Sequence, residues 1–180
     1  MKIAILTPTF SHFSGIDRVV ALQAEQLKKE GHEVKILCLK AEMKSKHAKI
    51  MQLGLPKNPF FERIQRLFFF FWRKKIEKGI EAIKDCDVAI AHFYPMTLIA
   101  AKAKNNYGVK FVFHNHGVAT PELFESFAER SYMKLFNFFT NKSIKNCDAA
   151  VSISKYLQKV LKKETGIDSE VEYDRVDKKR

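Results

Sequence analysis

Residues 1–39 read MKIAILTPTFSHFSGIDRVVALQAEQLKKEGHEVKILCL, and this stretch decides the fold. Ile3-Ala4-Ile5-Leu6 is a short continuous apolar run, as expected of a parallel strand buried on both faces, and it breaks at Thr7-Pro8-Thr9. From Ile16 onward Val20, Ala24 and Leu27 recur at helical spacing, interrupted by Gln23, while Arg18, Glu25, Lys28 and Lys29 fall on the other side. Gly31 stops this amphipathic helix, and Val34-Lys35-Ile36-Leu37-Cys38-Leu39 is the next strand. A strand, a crossover helix and a second strand within about 40 residues form a βαβ unit.

In open parallel sheets ligands bind beyond the carboxyl ends of the strands, so the loop turning at Ser14-Gly15 is a candidate site. Gly15 lets a ligand approach the backbone, and the helix behind it offers unpaired N–H groups and a positive dipole end to a phosphate. Gly15 could equally just start a turn, and Asp17 could be a cap favoured by the dipole. Neither GxGxxG nor GxxxxGK[ST] occurs, so the dinucleotide and P-loop fingerprints are missing.

The chain has 180 residues, enough for one sizeable core. Its formal charge of +12 calls for an anionic partner. Nucleic acid is disfavoured, because the Lys and Arg are spread along amphipathic helices and no helix-turn-helix, zinc-ligand or RNP-like pattern appears. Cys38, Cys86 and Cys147 cannot all pair and lack metal-ligand spacing, which suits a reduced, cytoplasmic setting. No run at the start reads as a signal peptide and none is long enough to span a bilayer, so membrane contact is expected to be peripheral.

A long polar connection, residues 40–49, follows the second strand. Residues 60–84 then read as a helix with two apolar stripes. Phe69, Trp72, Ile76, Ile80 and Ile83 face the sheet, whereas Phe60, Ile64, Leu67, Phe68 and Phe71 form a second line running into Lys74, Lys75 and Lys78. Aromatic rings followed by a lysine cluster suit an anionic membrane or a partner surface; the alternative is that both stripes are buried. Residues 84–90 and 145–151 each run from a basic helix end through Cys-Asp into an apolar strand, and read as one recurring structural join. Between them lie a helix over residues 96–106, a strand over 110–114 and a helix over 121–145. Ser154 caps a helix over 155–164, Gly166 stops it, and residues 171–173 form a last short strand. The alternation gives about six parallel strands covered on both faces, a Rossmann-like, doubly wound, mostly parallel α/β layer.

His92 and His116 fall where strand ends converge, His116 just before Gly117. An imidazole there can donate to a sugar hydroxyl or a phosphate, or carry a proton. His114 and His116 at a spacing of two, without nearby Cys or carboxylate partners, make a poor zinc site, and no metal is expected.

The chain resembles the N-terminal domain of GT-B glycosyltransferases of the retaining family 4. That family opens with strand, Gly-Gly-x-Glu-Arg-x-Val, helix, Gly-His-Glu-Val, strand. Gly15, Asp17 and Arg18 fall on the second glycine, the acidic position and the arginine; Gly31-His32-Glu33-Val34 matches outright, and Ser14 replaces the first glycine. Residues 87–92, KFVFHNHG over 110–117 and CDAAVSISKYL over 147–157 are similar to three further family segments, and VEYDRVDKK over 171–179 resembles its Asn-Gly-Val-Asp hinge, with Asp174 and Arg175 in place of Asn and Gly. The resemblance implies that residues 1–180 are the acceptor-side half of a two-domain enzyme whose nucleotide-binding domain, with its Glu-x7-Glu pair, lies outside them. It further implies a nucleotide-sugar donor, a glycan or lipid-linked acceptor, no cofactor or metal, and little activity for this half alone. On this reading His116 orients the reacting sugar and is the catalytic candidate, while Ser14, Gly15, His92 and Gly117 bind substrate or phosphate. The alternative is a non-enzymatic module that docks a membrane or partner through residues 60–84.

Overall fold

The computed structural model describes residues 1–12, 14–117 and 121–173. Seven parallel strands form one sheet in the order β3-β2-β1-β4-β5-β6-β7. The opening unit is as the sequence dictates: β1 (Lys2–Phe10), α1 (Gly15–Lys29) and β2 (Glu33–Ala41), with Ile3 beside Val34 and Leu6 beside Leu37.

β1 does not break at Thr7-Pro8-Thr9 but runs through to Phe10. Pairing with β4 (Val88–Ala91) stops at Leu6–Ala91 while pairing with β2 continues to Phe10–Ala41, so Pro8 lies where the strand is paired on one side only and its missing N–H costs little. The sheet also holds a seventh strand. β3 (Lys49–Gln52) closes the long polar connection and pairs with β2 at the edge, where a four-residue, half-exposed strand leaves little hydrophobic signature.

Residues 60–84 are not one helix. α2 (Pro59–Leu67), capped by the Asn58 side chain on Phe60 and Phe61 N–H, gives way to a 3-10 turn (Phe69–Phe71) before α3 (Arg73–Ile83). Phe69 and Leu67 are drawn into the core while Phe71 turns outward, which an uninterrupted helix across four consecutive phenylalanines could not satisfy. Further on, α4 (Met96–Tyr107) leads to β5 (Lys110–Asn115). Then come a 3-10 turn (Pro121–Leu123), α5 (Phe127–Ile144) and β6 (Ala149–Ser152). α5 therefore begins six residues later than its apolar period suggests, and Leu123 and Phe127 stand in solvent. α6 (Lys155–Thr165) is capped by Ser154 on Leu157 N–H and ends at Gly166 in the left-handed region, before β7 (Glu170–Val171). Asp174 and Arg175 lie outside the described residues.

Two cores result. α3, α4, α5 and α6 bury Ile76, Ile83, Ile99, Ile144 and Leu161 with Leu6, Ala89 and Phe111 on one face of the sheet. α1 covers the other face through Val20 and Ala24 on Ile5, Ile36 and Cys38. Cover on this second face is uneven: Val88, Ile90, Val112 and Val151 are only half-buried.

The two Cys-Asp joins are built alike. Asp87 N–H donates to Lys2 C=O at 2.8 Å and its carboxylate accepts Lys2 N–H at 2.7 Å; Asp148 makes the same pair with Phe111 at 2.7 and 2.8 Å. Each aspartate thus sets the register of its strand against the strand beside it. Cys86 is core filler and burial pushes its thiol up; burial likewise pushes the Cys38 thiol up, there to about 12.

Candidate functional site

Beyond the carboxyl ends of β1, β4 and β5 lies a cleft of about 480 Å³. Thr7, Thr9, Ser14 and Asp17 line it from the β1–α1 side, Arg63, Arg66 and Tyr132 from α2 and α5, and Phe93 and Gly117 from the ends of β4 and β5.

Asp17 builds the β1–α1 wall. It is 1% exposed and accepts Ser11 N–H and Ser11 Oγ–H at 2.8 Å each, with Thr9 Oγ1–H at 3.2 Å. Asp17 therefore ties the loop to the first turn of α1, a stronger role than dipole compensation. Ser14 is the N-cap residue but makes no side-chain cap bond, and the volume a Cβ would take at Gly15 is open, so the start of α1 is accessible from outside.

On the opposite wall the Arg63 guanidinium lies 5.7 Å from the centre of the Tyr132 ring and 3.9 Å from Glu129, while Arg66 reaches Glu62 at 3.5 Å. Each guanidinium has a carboxylate beside it, so an anionic group entering this wall would take the place of Glu129 or Glu62 on the arginines. Arg63, Arg66 and Tyr132 line the cleft although periodicity conceals them; the only sequence signal is the spacing of three between the two arginines on α2.

The strand ends bring histidines together. The β4–β5 register, Ala91 beside Phe113, sets His92 next to His114, and His116 follows two residues on. His92 Nδ1 is 2.8 Å from His116 Nε2, and their rings stack with centroids 5.0 Å apart. Burial, together with His114 and His116, holds the His92 imidazole well below its ordinary value; burial pushes His116 down to about 4. Both rings are accordingly uncharged at neutral pH.

Gly117 has φ +84°, and a Cβ there would lie 2.8 Å from Leu157 Cδ2. Its N–H donates to Asn115 Oδ1 at 2.9 Å, while Asn115 Nδ2 donates to Ser152 Oγ and Leu157 C=O. This network holds the turn that carries His116.

The aromatic and basic surface is only partly as the helical period suggests. Phe60 and Phe71 are 65% and 71% exposed, Ile64 and Phe68 are half-buried, and Leu67, at 5%, belongs to the core. Lys74 and Lys78 are exposed, but Lys75 donates to Gly54 C=O at 2.6 Å, and burial pushes its ammonium down. The correction at Leu67 and Lys75 follows from the break in the helix, which rotates the two halves relative to each other.

The chain is thus a Rossmann-like sheet with a cleft walled by the first strand–helix loop on one side and by α2 and α5 on the other. The sequence profile of Glycosyltransferase Family 4 matches residues 13–173. The chain belongs to this family. Curated protein sequences give no match. Among solved structures, the lipopolysaccharide outer core galactosyltransferase WaaB in its apo form is 18% identical and superposes with a TM-score of 0.59, covering 99% of this chain and 47% of that one. HepE from Anabaena in complex with UDP is 13% identical with a TM-score of 0.66, over 98% of this chain and 45% of that one. Sucrose-phosphate synthase from Thermosynechococcus elongatus is 12% identical with a TM-score of 0.67, over 96% and 47%. At such identities the shared property is the fold, that of the N-terminal GT-B domain. The chain spans about half the length of these proteins.

Proposed function

We propose that this chain is the acceptor-side domain of a retaining hexosyltransferase that moves a sugar from a nucleotide-sugar donor to a glycan or lipid-linked acceptor, working with a second, nucleotide-binding domain. The observation that carries this reading is the cleft beyond the strand ends, walled by the open start of α1, two arginines and the turn holding His116. Ser14 and Gly15 at the helix start receive donor phosphates. The uncharged His116, held by His92, hydrogen-bonds the reacting sugar, and the Gly117 backbone lines the cleft beside that sugar. Arg63 and Arg66 receive an anionic group of the acceptor, such as the phosphate of a lipid carrier. No cofactor or metal takes part in the transfer. UDP-bound HepE supports a nucleotide-sugar donor. Without the donors of the nucleotide-binding domain the leaving diphosphate is poorly stabilised, so this domain alone turns over little substrate.

A lipid-linked acceptor fits a cytoplasmic enzyme peripheral to the membrane. Phe60, Phe61 and Phe71 are exposed, as are Lys74 and Lys78 on the helix that follows, and the Phe70–Phe139 ring contact at 5.0 Å joins the segment that carries these rings to α5. The test is sugar transfer by the two-domain protein from radiolabelled nucleotide-sugars to membrane extracts, with and without His116→Ala. Label in lipid or glycan that depends on His116 is expected; equal label in both removes the assignment.

A further inference from the structure

His92, His114 and His116 come from two neighbouring strands, and their proximity appears only once β4 and β5 are in register. One ring nitrogen from each lies within 4.8 Å of those of the other two, and the group includes no Asp, Glu or Cys. Ring centroids are 4.4 Å apart for His114–His116 and 4.9 Å for His92–His114. His92 and His114 are buried while His116 is half-exposed, so access is from the side of His116. Phe93 and Gly117, each next in sequence to one of these histidines, line the cleft.

Three converging imidazoles are soft enough for late first-row divalent metals and wrong for Mg²⁺ or Ca²⁺, which require oxygen ligands. Zinc binds imidazole nitrogen at about 2.0–2.1 Å, which puts tetrahedral ligand atoms about 3.3 Å apart. The 2.8 Å between His92 Nδ1 and His116 Nε2 must therefore open by a few tenths of an ångström, and the wider separations, all within 4.8 Å, must close toward the same spacing, so the half-exposed His116 ring shifts as the ion enters. The nitrogens that share a proton in the metal-free protein are the ones that would share the ion.

We propose that His92, His114 and His116 form a three-nitrogen site for a late first-row divalent metal of the Zn²⁺ class, its fourth position directed to the cleft beside Gly117. The site is not a requirement of sugar transfer. A metal on His116 excludes a sugar from the same ring, a consequence that rests on the role proposed for His116 above, whereas metal binding does not.

The experiment is titration of the purified, tag-free protein with Zn²⁺ against a competing chelator, with Co²⁺ absorption as a second probe. One equivalent is expected, with a tetrahedral Co²⁺ spectrum. In the unsubstituted protein, imidazole ¹⁵N shifts should move for His92, His114 and His116 and not for His12, His32 or His47. His114→Gln, outside the sugar-binding residues, should weaken Zn²⁺ by at least about tenfold at an unchanged melting temperature. Zinc held with the same affinity by His114→Gln, or shifts confined to the other histidines, would overturn the site, and these shifts need no variant that folds. If Zn²⁺ binds to the three histidines but does not slow transfer by the two-domain enzyme, the metal site stands and the role of His116 falls.

Discussion

His92 Nδ1 lies 2.8 Å from His116 Nε2, so a fully buried ring at the end of β4 fixes the orientation of a half-exposed ring at the end of β5. His92 is thus a positioning residue. His92→Phe keeps a ring of similar shape in the same enclosed space and removes only the hydrogen bond. In the two-domain enzyme it should lower kcat by about tenfold, the order of one hydrogen bond, with KM for the acceptor little changed. Steady-state kinetics over both substrates check this, and an unchanged kcat would show that His116 needs no such support.

Asp148 grips Phe111 through N–H and carboxylate, and its carboxylate also accepts Lys104 Nζ–H at 2.8 Å. Burial raises the affinity of this carboxyl for a proton, but Lys104 and the Phe111 N–H outweigh it and hold Asp148 below its ordinary value. A carboxyl depressed in the folded state contributes stability that is fully present above its unfolded value, about 4, and is lost as pH falls through the lower folded value. Asp148→Asn should therefore destabilise by about 1 kcal/mol at pH 7, a modest figure because the side chain is partly solvated, and by progressively less in acid. Urea denaturation of both proteins at pH 7 and pH 3 measures the difference; a gap that widens in acid would contradict the assignment.

Three glycines separate structural need from function. Gly117→Ala forces a Cβ onto a positive φ and against Leu157, and Gly79→Ala places one 2.8 Å from Ile99 Cδ1 where α3 meets α4. Each should cost about 1–3 kcal/mol. Gly15→Ala meets open space at a helix start and should leave stability unchanged or slightly raised. If donor phosphates approach Gly15, the same change raises KM for the nucleotide-sugar. Thermal melts together with donor KM distinguish the cases, and a Gly15→Ala enzyme with wild-type KM would remove Gly15 from the site.

Phe60→Ser with Phe71→Ser should reduce binding to anionic vesicles at low salt without changing the fold, because both rings already stand in solvent. Lys74→Gln with Lys78→Gln should weaken it by about 1 kcal/mol per charge. Vesicle sedimentation checks both; binding that is absent in the wild-type protein removes the membrane from the account.

The first βαβ unit was legible because its strand is continuously apolar and its helix has one clean polar side. The two Cys-Asp joins could be recognised as alike, although their shared hydrogen-bond clamp could not. Local pattern failed where tertiary context decides. Residues 68–71 are apolar on every side, so period alone could not show that Phe69 turns in and Phe71 out. β3 is too short and too exposed to announce itself. At the site, His92, His116 and Gly117 could be placed at strand ends from sequence. Asp17 as the anchor of the β1–α1 loop, Arg63 and Arg66 in the cleft, and the meeting of His92 with His114 depend on contacts between distant elements that no single segment encodes.

The most direct measurement is transfer of labelled sugar from a nucleotide-sugar by this domain joined to its nucleotide-binding partner domain, comparing the natural sequence with His116→Ala. The account expects label to reach a glycan or lipid acceptor with the natural sequence and to fall by on the order of a hundredfold in the variant, with both proteins equally folded. Equal transfer by the two would contradict it.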